Sequence, residues 1–121
     1  MRLVLPLPPS VNKAYRNVSV DKRIKTKEAT EYIHDAGWTA KVWATRNGWH
    51  MPQKNQKVIM RVWIWWPNRN RRDPDNLFKI LNDSLKGILV EDDNVIMPQV
   101  IDFDYDKQNP RLEIELERVA I

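Results

Sequence analysis

The sequence predicts an α+β fold, a mixed β-sheet packed with two main helices. Strand-like and helix-like periodicities alternate along the 121 residues, and the clearest strand, within Lys57–Trp66, is apolar on both faces. That length is enough for a hydrophobic core without staples, so residues 1–121 are read as a single domain.

Arg2–Leu7 reads as a short first strand, and Pro6, Pro8 and Pro9 make PLPPS a rigid exit loop. The polar, basic stretch Val11–Lys25 reads as a loop able to reach a ligand. Thr26 can cap a helix running to about Thr45. Ile33, Gly37, Ala40 and Ala44 lie along one side of it, and Asn47-Gly48 ends it. In the next strand Val58, Met60, Val62, Ile64 and Trp66 take one face, while Ile59, Arg61, Trp63 and Trp65 take the other. Helices are expected over one face, and something else, a partner subunit among the options, over the other. PNRNRR is a loop. Asp73 caps a second helix with Pro74 in its preferred first position, and Gly87 stops it after Lys86. An acidic turn Glu91-Asp92-Asp93-Asn94 leads to a strand over Val95–Phe103 that Pro98 should interrupt. Arg111–Val119 is a final strand with one wet face, since Glu113, Glu115 and Glu117 alternate with Leu112, Ile114 and Leu116.

Composition removes several classes of function. Without cysteine there is no disulfide framework, thiol nucleophile or cysteine zinc site, which fits a reducing, cytoplasmic setting. Only His34 and His50 are present, so a metal would be held by carboxylates, which favour hard cations such as magnesium or manganese. No apolar run approaches the length of a membrane span, and MRLVLPLPPS does not read as a signal peptide. Charge is unevenly placed. Residues 1–57 hold 11 Lys/Arg against 4 Asp/Glu, whereas residues 58–121 hold 9 against 12. A basic first half suits a polyanion, although a solvated basic surface has the same composition.

The segment RRDPDNLFK carries the chemistry. Asp73 and Asp75 flank a proline at a helix start, where backbone N–H groups and the helix dipole favour negative charge. Lys79 lies one turn up the same face from Asp75. If the helix turns back after Gly87, Asp92 and Asp93 return toward Asp73, and such a cluster calls for a divalent cation that activates water for phosphodiester hydrolysis. Structural roles compete: Asp73 as N-cap, Asp75 as first-turn acid, Lys79 as a surface lysine, the acidic run as a solvated turn.

These segments resemble the RusA family of phage and prophage Holliday junction resolvases. PPSVNKAY is similar to the family's PPS-x-N-x-x-Y opening, and DPDNLFKILNDSL to D-x-D-N-L-x-K with a downstream D-x-L, followed by the acidic turn. The resemblance implies a homodimeric, magnesium-dependent (or manganese-dependent) endodeoxyribonuclease that places paired, symmetric nicks in four-way junctions. It implies Asp73 and Asp75 as paired metal ligands, Lys79 as the catalytic lysine and Asp93 as the third essential aspartate. Asp92 is the alternative third ligand, because the turn departs from the family's D-D-x-Q pattern. Asn12 and Tyr15 match the opening motif. With Lys13, Arg16, Lys22, Arg23, Lys25, Arg69, Arg71 and Arg72 they are the candidate DNA contacts. A less selective branched-DNA or flap nuclease shares all these motifs, and a non-catalytic junction-binding protein shares the charge pattern.

Overall fold

Val58–Trp66 contains β-branched and aromatic residues and a single charge, Arg61, and it becomes the strand on which the rest assembles. The computed structural model describes residues 1–10, 15–19, 22–70 and 72–120. In chain order the elements are β1 (Leu3–Leu5), β2 (Tyr15–Ser19), β3 (Lys22–Lys25), α1 (Lys27–Asn47), β4 (Val58–Trp66), α2 (Phe78–Leu85), β5 (Ile96–Tyr105) and β6 (Arg111–Arg118). Two one-turn 3-10 helices, Pro74–Leu77 and Asp93–Val95, precede α2 and β5.

The main sheet is mixed, ordered β1-β6-β4-β5. β6 pairs antiparallel with both β1 and β4, whereas β5 runs parallel to β4, so β4, α2 and β5 form a crossover unit. The alternating residues expected to face the core do so. Val58, Met60, Val62 and Ile64 are buried together with Leu3, Leu5, Leu112 and Ile114, in one cluster with Ile80, Leu81 and Leu85 of α2.

The opposite face is covered by its own arginines. Arg2 stacks 3.7 Å over Trp63 and Arg111 4.1 Å over Trp65. Both guanidinium groups reach Glu113, at 3.2 Å and 2.9 Å, and Arg61 bonds Glu117 at 2.7 Å. The hydrocarbon parts of the arginines shield the rings, and the charges pair across strands.

α1 begins where expected: the Thr26 hydroxyl accepts from the Ala29 N–H at 3.3 Å. It ends at Gly48, left-handed at φ 66°, whose N–H donates to Ala44. Small residues on its buried face let α2 approach closely. A Cβ added at Gly37 would lie 3.1 Å from the Ser84 carbonyl oxygen. Tyr32 ties α1 to the proline loop by donating its hydroxyl to the Pro6 carbonyl at 2.7 Å, and burial holds its phenol well above the ordinary value.

Three expectations need adjustment. Within the basic stretch expected as a loop, β2 and β3 pair as an antiparallel hairpin with a bulge between Asn17 and Ser19, and Val18 and Ile24 supply β-branched strand residues. Pro98 does not interrupt β5, because β5 is an edge strand where a missing N–H is tolerated. The second helix opens with a 3-10 turn, and its α-helical part ends at Leu85.

Candidate active site

The loop leaving β4 is tied down before it reaches the first acids. Arg72 donates through Nη1 to the carbonyls of Asn68 (3.0 Å) and Asn70 (3.3 Å), and through Nη2 to the Asn68 side-chain oxygen (2.8 Å). Its guanidinium lies 5.0 Å from the Trp66 ring centre, and that of Arg69 lies 4.2 Å from Tyr105. Two arginines therefore clamp this loop to the ends of β4 and β5. Asp73 follows in extended conformation and accepts the Asp75 N–H at 3.0 Å, with Pro74 opening the 3-10 turn. The cap leaves the Asp75 side chain exposed, and Lys79 is exposed in the first turn of α2.

A second acidic segment repeats the device. Past α2 the chain turns at Gly87 (φ 78°), whose N–H donates to the Val90 carbonyl at 2.7 Å. Asp92, also extended, accepts the Asn94 N–H at 3.4 Å and opens the 3-10 turn Asp93–Val95. Here the two acids hydrogen-bond each other. The bond to Asp92, then partial burial and the neighbouring charges of Asp92 and Asp83, hold the Asp93 carboxyl above the usual range. The same bond, then the Asn94 N–H, holds Asp92 below it. Lys86 stands 3.9 Å from Asp92, and Lys25 of β3 3.3 Å from Asp83.

The two segments do not converge within one chain. In the parallel β4–β5 register Val58 sits beside Ile96 and Trp66 beside Tyr105. Asp73, which follows the Trp66 end, and Asp93, which precedes Ile96, therefore lie toward opposite ends of the crossover, with α2 between them. The sequence reading anticipated a reversal after Gly87 that returns the acids toward Asp73. The parallel β5 accounts for the difference, because the chain must finish travelling back along α2 before β5 can start. Among the described residues no group of three or more histidine or acidic side chains is placed to hold one metal ion.

Of the basic candidates, Arg16 is exposed in β2, and Lys25, Arg69 and Arg72 make the contacts given above. Tyr15, Lys22 and Arg23 are placed by their backbone in the hairpin. Asn12, Lys13 and Arg71 lie outside the described residues. Sequence reasoning included Asp83 in the downstream D-x-L match but gave it no role, although its position one turn beyond Lys79 was a usable signal. Trp66 and Tyr105, the platforms of the clamping arginines, had no comparable signal.

An α+β fold with paired carboxylates at both ends of one helix, and a lysine-bearing hairpin against that helix, has the makeup of a carboxylate-based enzyme for a polyanionic substrate. Residues 6–117 match the family model described as Endodeoxyribonuclease RusA. The chain belongs to the RusA endodeoxyribonuclease family. No curated protein matches it.

Proposed function

We propose that this endodeoxyribonuclease resolves four-way DNA junctions as a homodimer, with each catalytic site assembled from two chains. The separation of its two acid pairs along α2 carries this reading. One chain offers Asp73, Asp75 and Lys79 at one end and Asp92 and Asp93 at the other. A two-fold pair of copies can set the first end of each against the second end of its partner, which yields two identical sites for two symmetric nicks. β5 is suited to such pairing: it is one of the two edge strands of the main sheet among the described residues, and Met97, Ile101 and Phe103 are exposed on it. Antiparallel pairing of two β5 edges would bring opposite ends together.

The donor set is all carboxylate oxygen, with His34 and His50 exposed elsewhere, which fits magnesium or manganese. Asp73 and Asp75 of one copy, with Asp93 or Asp92 of the other, would hold the ion. When bound, it supplies Lewis-acid polarisation of the scissile phosphate and lowers the pKa of water. The protein contributes position. The capped turn aims Asp75 outward, and Lys79 stands ready to neutralise charge developing on the phosphate oxygens. Arg16 and Lys25 of the hairpin supply backbone contacts that set affinity without reading sequence. We place this activity in the cytoplasm, in keeping with a chain free of cysteine.

The test uses two damaged proteins. Asp75→Asn and Asp93→Asn should each lower cleavage of a labelled four-way junction on the order of 10³-fold while retaining junction binding. Co-refolding the two should restore about a quarter of wild-type nicking, because half of the dimers are mixed and each mixed dimer has one intact composite site. Two inactive proteins that stay inactive when mixed would sink the shared site. Wild-type cleavage that persists in EDTA would sink metal dependence. Equal cutting of linear duplex would indicate the less selective nuclease, and binding without any cutting the non-catalytic protein.

A further inference from the structure

The hairpin β2–β3 is a two-stranded sheet of its own: among the described residues neither strand pairs with the main sheet. An isolated pair of strands is marginally stable in water, so its direction must be set by what it rests on. Two fixing points lie at its base. The backbone leaves β3 directly into Thr26, whose hydroxyl caps α1 at the Ala29 N–H. The Lys25 ammonium reaches the Asp83 carboxylate of α2 at 3.3 Å. One fixed point lets a hairpin swing, and a second on another helix restricts the swing. The Asp83 side chain is 24 % exposed, so water screens this pair less than an ordinary surface pair.

The anchor also falls at a telling place along α2. Asp83 lies four residues after Lys79, so the two share one face a single turn apart, roughly 5 Å along the axis. Lys25 pairs across the hairpin with Tyr15, and Arg16 stands in the next pair, opposite Ile24. The anchored end of the hairpin, with the exposed Arg16 close to it, is thereby held against the helix that carries Lys79. Resting on the reading that the hairpin grips DNA, we infer that Asp83 is a positioning residue. It ties the hairpin to α2, so that phosphate contacts and hydrolysis fall on the same stretch of DNA. Lysine has three donors, so an ammonium held by Asp83 keeps others for a phosphate. This role runs against simple charge. An acid beside a polyanion repels it, and removing the acid should then tighten binding. A positioning acid does the reverse.

Asp83→Ala separates the two. Alanine is the better helix former, and an acid near the C-terminus of α2 opposes the helix dipole, so the variant should melt no earlier than wild type. Hydrogen exchange of the full-length protein should quicken on the order of threefold in β2 and β3 and stay unchanged in β4. Anisotropy with a labelled four-way junction in EDTA should show binding weakened about threefold, and Asp83→Glu should recover most of the loss. Nicking at saturating junction should stay within about twofold of wild type, because a positioning residue acts on binding and not on the reacting groups. Hairpin exchange that does not change, or junction binding that tightens, overturns the inference. So does nicking that collapses at saturation, which would place Asp83 among the reacting groups. A wild type that binds the junction without cutting it removes the resolvase reading alone, since exchange and binding are read without cleavage.

Discussion

The two acidic segments share one backbone device and differ in how their charge is held. At both ends of α2 an extended aspartate caps the N–H two residues on and opens a single 3-10 turn, Asp73 for Asp75 and Asp92 for Asn94. Between cap and capped residue the first segment has Pro74, whose ring fixes the turn and carries no charge. The second has Asp93, which bonds its own neighbour. One site end is therefore set by covalent geometry. The other is set by two like-charged groups that are favourable together only with a proton or a cation between them. The comparison teaches that equal local folds need not hold their charge in the same way.

The largest expected effect separates charge from cap at the first segment. Asn caps a helix about as well as Asp, so Asp73→Asn should leave Tm within about 1 °C of wild type. The same change should lower junction cleavage on the order of 10³-fold if the carboxylate is a ligand. Parallel measurement of melting and cleavage checks both halves. A variant that melts early, or one that cuts normally, would return Asp73 to a purely structural role.

The helix between the two segments acts as a spacer, and Gly37 sets how closely α1 holds it. Alanine is the better helix former by about 0.5–1 kcal/mol. Its Cβ, however, would stand 3.1 Å from the Ser84 carbonyl oxygen, a backbone atom that moves only with α2. Overpacking should win, and Gly37→Ala should lose about 1 kcal/mol net, lowering Tm by about 4 °C. A raised Tm would show that the helices part easily and that the spacing of the acid pairs is soft.

Much of this was legible in the sequence because periodicity reports which side of an element is buried. The alternation in Val58–Trp66 and Arg111–Val119 placed Met60, Val62, Ile64, Leu112 and Ile114 correctly, and the spacing after Thr26 placed Ala40 and Ala44. Periodicity does not report which strand lies beside which. The parallel pairing of β4 with β5 was therefore hidden, and with it the separation of Asp73 from Asp93. The β2–β3 hairpin was hidden for a related reason: its pairing is made by the backbone, while its composition reads as polar loop. The Asp73 cap and the Pro74 start needed only local signals, so they could be read from the sequence alone.

The smallest expected effect lies at the second segment and follows from its proton. A carboxyl whose folded pKa is raised contributes stability below its unfolded value, and loses it as pH rises through the folded value. Asp93 is in that position, chiefly through its hydrogen bond to Asp92, then through burial and the charges of Asp92 and Asp83. Asp92 has the opposite sign: its contribution is present above the unfolded value and lost as pH falls through the folded one. Asn at position 93 can donate to Asp92 at every pH, as the protonated acid does only in acid. In EDTA, Asp93→Asn should therefore melt about 2 °C above wild type near neutral pH, a small gain because these groups are largely solvated. The two curves should meet as the pH falls below the usual carboxylate range, where Asp93 carries its proton in both states. Excess magnesium should reverse the order near neutrality, since only the carboxylate then gains a ligand bond. A gain from Asp93→Asn that is equal at all pH values, or unchanged by magnesium, would mean that the acid pair is held by the turn alone.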